Sequence, residues 1–366
     1  MKNIREKLVF GLFTVTILGF LLFIFTPLGF ASNDQGFSSE RERVIKQALD
    51  RIELAIEICF VTGGEQSFEL FNDYDIDGDL DLVSRLEYPH RGPIFMLKGE
   101  VGFLSRFFVG GKYGRSDFRR RDCSDEDWNI FDPLWPNGSD AFVDYQITKQ
   151  ASKSRVEFFD FNVYYRLLDL KEDEGYQGQE RLPSEESLFN YLTIESFSLD
   201  IFSGYQYHKG RYRMLDPLRE FLREDEGTWY YAAGLPDNIG LNSFYKVRYK
   251  GPRIGVRAEG SRGKFTSRLR LAYAWLKTKA YGWWNLRELS FWQTGDNGYG
   301  IEAGLEVAYA LTPSFSAGLG YNYFYCHEGR LELSAVESGV PWPAGAEVRN
   351  VNSKIHGPSF ILKYTW

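Results

Sequence analysis

Beyond residue 31 the sequence has no apolar run long enough to cross a bilayer as a helix, which takes about 20 residues; helical spans are therefore excluded there. Cysteine is scarce. Cys59, Cys123 and Cys326 allow one bridge at most, which excludes a disulfide framework. There is no run of lysines and arginines, and a net charge of −7 gives no reason to expect nucleic acid as a partner. Histidine, the usual general base near neutral pH, occurs four times, at 90, 208, 327 and 356.

What is present is of another kind. Lys2, Arg5 and Lys7 precede an apolar run over 8–28, and Gly29-Phe30-Ala31 places small residues where a signal peptidase would cut. Residues 1–31 therefore read as a secretory signal, with an uncleaved anchor as the alternative because the run is long. About 335 residues follow, enough for one large barrel or two ordinary domains. They are aromatic-rich, with 23 Tyr, 30 Phe and 9 Trp in the whole chain, and glycine-rich, with 36 Gly. Exported, aromatic-rich and cysteine-poor is the composition of an outer-membrane barrel.

The backbone signal is period-two alternation. Tyr299, Ile301, Ala303, Leu305, Val307 and Tyr309 alternate with Gly300, Glu302, Gly304, Glu306 and Ala308, a separation that only a strand achieves. Phe315, Leu319, Tyr321 and Tyr323 repeat it against Ser316, Gly318, Gly320 and Asn322. So do Leu54, Ile56, Ile58 and Phe60 against Glu53, Glu57 and Cys59, and Leu269, Leu271, Tyr273 and Trp275 against Arg268 and Arg270. A soluble sandwich would bury the apolar face, whereas a membrane barrel turns it to lipid and encloses the charges. The last residues favour the barrel: Phe360, Leu362, Tyr364 and Trp366 alternate with polar neighbours, resembling the signal that delivers barrels to their assembly machinery.

These patterns predict an all-β, antiparallel transmembrane barrel of about ten strands over 53–366, monomeric, in the outer membrane of a Gram-negative bacterium. Short connections fall at 104–106, 263–264 and 312–314, and long polar ones at 122–154, 214–243, 276–296 and 326–352, which places the long ones outside the cell. Residues 32–52 form an N-terminal periplasmic segment. Within it 39–52 is expected to be helical, from a capping box of Ser39 with Glu42 followed by Ile45, Ala48, Leu49 and Ile52. A second short helix is expected to start at Pro183-Ser184-Glu185-Glu186 in the connection 169–193.

Several stretches, in order along the chain, resemble the omptins, ten-stranded outer-membrane aspartyl proteases. They are Val83-Ser84-Arg85-Leu86-Glu87-Tyr88, Ser124-Asp125-Glu126-Asp127-Trp128, Gly204-Tyr205-Gln206, the segment 245–255 around Lys250-Gly251-Pro252-Arg253, and Lys363-Tyr364-Thr365-Trp366. The resemblance implies a site in which an Asp pair faces an Asp-His pair across the barrel mouth, with the attacking water between them. Asp125 and Asp127 occupy the first pair's positions and project from the same strand face. The second pair falls at Tyr281-Gly282-Trp283-Trp284-Asn285, which contains neither residue. His327 is the remaining histidine expected near the mouth. Loss of a general base costs about 10²–10⁴ in rate, so the expectation is a non-proteolytic omptin-like barrel with a surface binding or structural role. An active endopeptidase with altered groups and a small porin are the alternatives. The family also binds lipopolysaccharide on its outer wall; Tyr205 matches its tyrosine, and Lys209 and Arg211 supply cations for phosphate.

The sharpest local motif is separate from all of these. Asp73, Asp75, Asp77, Asp79 and Asp81, with Gly78 at the sixth position, resemble the start of a calcium loop, where oxygens at alternate positions wrap one ion. The twelfth position is Ser84 rather than Glu, so a full EF-hand is absent. No cofactor is required by this reading, and Ca²⁺ is the one candidate. If these carboxylates hold an ion, millimolar calcium should raise the melting temperature of the refolded protein and chelator should reverse it; an unchanged transition refutes the loop.

Overall fold

The computed structural model describes residues 49–72, 81–103, 106–131, 142–171, 195–225, 228–233, 243–284, 288–341 and 346–366. Among the described residues fourteen strands make one antiparallel sheet: β1 (Leu49–Val61), β2 (Glu65–Asn72), β3 (Asp81–Pro89), β4 (Gly92–Phe103), β5 (Phe107–Phe131), β6 (Phe142–Lys171), β7 (Ser196–Asp225), β8 (Thr228–Ala233), β9 (Phe244–Arg262), β10 (Phe265–Trp284), β11 (Leu289–Ala310), β12 (Phe315–Glu337), β13 (Val340–Pro341) and β14 (Glu347–Thr365). The sheet closes on itself. Its ring runs β1-β4-β5-β6-β7-β9-β10-β11-β12-β14 and back to β1, ten strands around, and higher up β2 and β3 take the places of β1 and β4 between β14 and β5. Short β8 and β13 extend the hairpins of β7 and β12. Among the described residues no helix is long and apolar enough to cross a membrane.

The tight turns gather at one end. Arg262 pairs with Phe265 around Gly263, whose φ of 55° suits glycine, and the 312–314 turn receives the amide of Thr365 at Ser314. At the other end the strands run on. Most of what the sequence reading took as long polar connections is strand: β10 continues to Trp284 and β11 begins at Leu289, and β5 and β6 stay paired as far as Phe131 and Phe142. The N-terminal boundary also moves. Leu49 and Ile52, expected in a helix, pair with Phe103 and Val101 of β4, because ladder hydrogen bonds outweigh the helical spacing of isolated apolar residues. Residues 39–48 and 183–186, where helix starts were expected, lie outside the described residues.

Alternation becomes two surfaces. Leu54, Ile56, Leu97, Leu269, Leu271, Ile301, Leu305, Leu319 and Phe360 all point outward and are exposed. This band is bounded by aromatic rings: Phe107, Phe265, Tyr309, Tyr364 and Trp366 near the tight turns, and Tyr273, Trp275, Tyr299 and Tyr325 above. Tyr309 and Tyr299 on β11 are separated by about 33 Å of strand, or about 25 Å of height at a tilt of about 40°, the hydrocarbon band of an outer-membrane barrel. An apolar belt that wide has no stable place in water.

Inside the band the charges are enclosed and paired. Lys112 Nζ lies 3.0 Å from Asp160 and 2.7 Å from Glu302; Arg253 Nη1 lies 2.9 Å from Asp160 and 3.1 Å from Glu302, with Arg270 also on Glu302. Arg268 bridges Glu53 at 2.9 Å and Glu259 at 2.6 Å, Lys363 meets Glu306 at 2.6 Å, and Arg257 meets Asp200 at 2.7 Å. Removing one partner of such a set strands the others in low dielectric, at about 3–5 kcal/mol. Arg253→Ala, which leaves Asp160 and Glu302 short of a cation, should lower the urea-unfolding free energy of the refolded barrel by about that amount; a loss below about 1 kcal/mol refutes this role.

Candidate functional site

Above the upper aromatic ring the polarity of both faces reverses. The outward residues become Lys277 and Lys279 on β10, Lys246, Arg248 and Lys250 on β9, and Arg330 and Arg349 on β12 and β14. The inward ones become Leu276, Leu289, Phe291, Leu331, Val348, Val351, Tyr88, Tyr212, Tyr245 and Tyr249, all buried in one cluster. A polar layer separates this plug from the ionic network below. His90 bonds the hydroxyl of Tyr212 at 3.0 Å and the carbonyl of Lys354 at 3.0 Å, Gln66 donates to Tyr249 at 3.1 Å, and His208 bonds Ser353 at 3.0 Å. The sequence reading did not find this layer. Its signal was strand parity, since His208 shares a face with Gln206 and Tyr212.

Asp125 and Asp127 project inward, as their spacing requires. Leu86, fully buried, pairs with Asp125, and Ser84 pairs with Asp127 and donates to Asp125 Oδ1 at 3.3 Å. The two carboxylates thus share the inner face, with Thr148 and Gln146 opposite them on β6 and the buried Leu86, Tyr88 and Cys123 close by. Across the lumen the other half is absent from the described residues. Tyr281 stacks outward against Trp292 and lies under the Lys246 ammonium, while Trp284 packs inward on Phe291 at 5.9 Å. Phe68, which pairs with Leu86, lies 4.6 Å from Tyr245, and Phe291 packs 6.3 Å from Phe68. The space left at this level is a notch of about 20 Å³ lined by Phe68, Leu70, Trp284, Leu289, Phe291 and Leu333. In the ionic layer a second cavity of about 70 Å³ is bordered by Glu53, Glu57, Lys98, Lys112, Arg268 and Arg270.

His327 does not complete the site. It pairs with Tyr299 on the outward face, with its Nδ1 2.6 Å from Asn352 Oδ1 and its ring against Tyr299 and Tyr325. The wall of β12 stands between it and the two aspartates; strand parity fixes this, because Cys326 and Glu328 on either side are the buried residues. The three cysteines are buried and form no disulfide with one another. Residues 73–80, with Asp73, Asp75, Asp77 and Asp79 of the acidic motif, lie outside the described residues, and of Asp81 only the backbone, paired with Asn72, is described.

On the outer wall Tyr205 is exposed beside Pro252, at the edge of the apolar band. Lys209 and Arg211 follow it at strand spacing. They belong to a larger array: Lys209 pairs with Arg248, which pairs with Lys279; Arg211 pairs with Lys246; Lys250 pairs with Lys277. On the β6 side Glu157 stands opposite Lys209 and Arg155 opposite Arg211. On the other side of the barrel the corresponding surface carries mixed charge, with Arg85 2.9 Å from Glu69 and Arg349 3.2 Å from Glu347.

No family model and no curated protein matches the chain. Among solved structures, the outer membrane protease OmpT from Escherichia coli matches over 87% of this chain and 97% of that one, with a TM-score of 0.64 at 15% identity. The translocator domain of the autotransporter NalP from Neisseria meningitidis aligns less closely, at a TM-score of 0.32 and 10% identity over 90% of this chain and 95% of that one. The chain therefore has the fold of the omptin-like outer-membrane barrels. At such identity the likeness is one of architecture, and residue roles do not travel with it.

If the upper lumen is a close-packed core rather than a cleft, truncating Leu331, which is fully buried, should be costly. Leu331→Ala should lose about 2–5 kcal/mol in urea unfolding, whereas Glu126→Gln, whose carboxylate lies 3.9 Å from Arg85 on the outer wall, should change it by less than about 0.5 kcal/mol.

Proposed function

We propose that the protein is a monomeric outer-membrane barrel whose extended strand ends face the cell exterior, and that it acts there as a non-proteolytic binding protein. Its outer wall grips the phosphates of lipopolysaccharide. The observation that carries this reading is the array of Arg211, Lys246, Arg248, Lys250, Lys277 and Lys279, in register around the buried Lys209 and directly above the aromatic ring. That height is where headgroups begin, and guanidinium and ammonium groups are the natural partners of phosphate there. Tight turns belong on the periplasmic side of such barrels, which turns the cationic end outward. Tyr205 would lie along an acyl chain, with Lys209 and Arg211 above it.

A second reading, an endopeptidase of altered chemistry, is favoured by one observation: Asp125 and Asp127 share an inward face. The apolar wall opposite and the outward placement of His327 weigh against it. A porin is disfavoured by the ionic network and the plug, which fill successive levels of the described lumen.

Two measurements separate these readings. The refolded barrel with lipopolysaccharide should leave a fluorogenic dibasic peptide intact; cleavage that disappears in Asp125→Asn would overturn the non-proteolytic assignment. Lipopolysaccharide should be retained by the barrel, and the pair Arg248→Glu and Lys250→Glu should weaken retention by at least about tenfold, since one charge-assisted hydrogen bond contributes about 1.5–3 kcal/mol. Equal retention by the charge-reversed barrel rules out the cationic wall as the lipid site.

A further inference from the structure

Among the described residues, the fully buried lumen carboxylates come with a cation, with one exception. Glu53, Glu57, Asp160, Asp200, Glu302 and Glu306 each form an ion pair. Glu328 has none. Its side chain is 0% exposed, and neither carboxylate oxygen has a hydrogen bond of good geometry; the Thr278 hydroxyl and the Asn297 amide reach it only loosely. The Thr278 hydroxyl is itself fully buried and has that carboxylate as its neighbour. An ionised carboxylate in that state costs several kcal/mol, so it takes up either a proton or a cation.

The backbone around Glu328 is opened on its behalf. On β11 one extra residue is inserted against β10, between Leu276↔Gly298 and Thr278↔Gly295, so Asp296 and Asn297 bulge out exposed. The pairing of β11 with β12 lapses at the same level, between Thr294↔Glu332 and Tyr299↔His327. On β12 the buried positions slip from 328 to 331, and on β14 from 351 to 348, with Asn350 at φ 51°. A line of bulges therefore crosses three adjacent strands at one height, the irregularity by which sheets re-aim side chains. Oxygens converge inside it. The point where a Cβ on Gly298 would stand lies 2.8 Å from Glu328 Oε2, 2.9 Å from the carbonyl of His327 and 3.2 Å from that of Leu276. Gly295, on the other side of the bulge, is as close to the same carboxylate at 2.8 Å. Asp296 is near enough for its charge to repel that of Glu328.

We infer that Glu328, Thr278 and the Asp296-Asn297 bulge form a binding site for a divalent cation of the calcium class, set in the barrel wall above the aromatic ring. The donors are all oxygen: two carboxylates, a hydroxyl and carbonyls, which suits a hard ion taking 6–8 ligands. Among the described residues no three His, Cys, Asp or Glu side chains gather to hold a metal ion, so hydroxyl and carbonyl oxygens must complete the shell, as calcium accepts. The ion supplies the missing counter-charge and ties β11 to β12 where their ladder is broken. The site is independent of the acidic segment 73–81 and of what the outer wall binds.

The test uses the full barrel refolded in detergent, carrying Asp75→Asn and Asp77→Asn so that the acidic segment contributes nothing. Equilibrium dialysis against ⁴⁵Ca²⁺ should give one bound ion per barrel, and calcium should raise the thermal unfolding midpoint. Glu328→Gln should reduce affinity at least about tenfold, and Asp296→Asn, at an exposed position, should reduce it measurably. No bound calcium in this background, or equal binding after Glu328→Gln, overturns the site. If Glu328→Gln does not refold, unchanged affinity in Asp296→Asn overturns it instead. A Glu328→Gln barrel more stable than its parent in chelator and indifferent to calcium would mean that Glu328 carries a proton rather than a cation.

Discussion

One constraint organises the molecule: a strand has two faces, and the medium on each side changes along its length. Between the two aromatic rings the outer face is apolar and exposed, so every polar residue the alternation provides is forced inside. Above the upper ring the outer face meets water, and the apolar set moves inside. β10 shows the exchange within one strand. Leu269, Leu271, Tyr273 and Trp275 face out below and Leu276 and Ala280 face in above, while Arg268 and Arg270 face in below and Lys277 and Lys279 face out above. Each half of the barrel needs a different interior chemistry, ionic below and apolar above.

That exchange sets the chemistry of the mouth. A cleft that hydrolyses a peptide needs polar groups on both walls and room for a water between them. Here one wall keeps two carboxylates, and the other contributes Leu289, Phe291 and Trp284 to a packed core continuous with Phe68 and Tyr245. Buried polarity persists only where it is paired, as in the His90–Tyr212 and Gln66–Tyr249 bonds between the layers. On the outer wall, charge is instead left in the open, as in Lys246 and Arg248 on β9 and Lys277 and Lys279 on β10.

The barrel was legible because alternation is local. Residues 299–309 announce their strand without help from any neighbour, and so does the terminal segment from Phe360. The inversion is harder to read, since polar outward residues above the ring look like loop residues singly; 276–296 resembles a connection although Leu276, Thr278 and Ala280 keep the same two-residue period. Asp125 and Asp127 were legible as a same-face pair for the same reason. His327 was misplaced because nearness to the mouth was judged by position along the strand and not by which side its parity chose. Glu328, adjacent to it, passed unnoticed: its isolation depends on three strands bulging together, and no single segment carries that information.

The low hydropathy of the chain follows from this architecture and does not contradict it. A helical span must be apolar all round, whereas a barrel strand needs apolar residues on one face over about ten positions. Doubling the strand length above the membrane, as β6 and β7 do with 30 residues each, adds polar outward positions and nothing that must meet lipid. The enclosed charges are weak contributors to stability as pairs, since removing them from water offsets much of their attraction. Their effect lies in register: a one-residue slip would send Arg268 and Glu306 into hydrocarbon and Leu269 and Leu305 into the ionic layer. With Arg268 opposite Glu306 and Leu269 opposite Leu305, only one alignment of β10 on β11 satisfies both media, and the same requirement repeated around ten strands selects a single closed barrel.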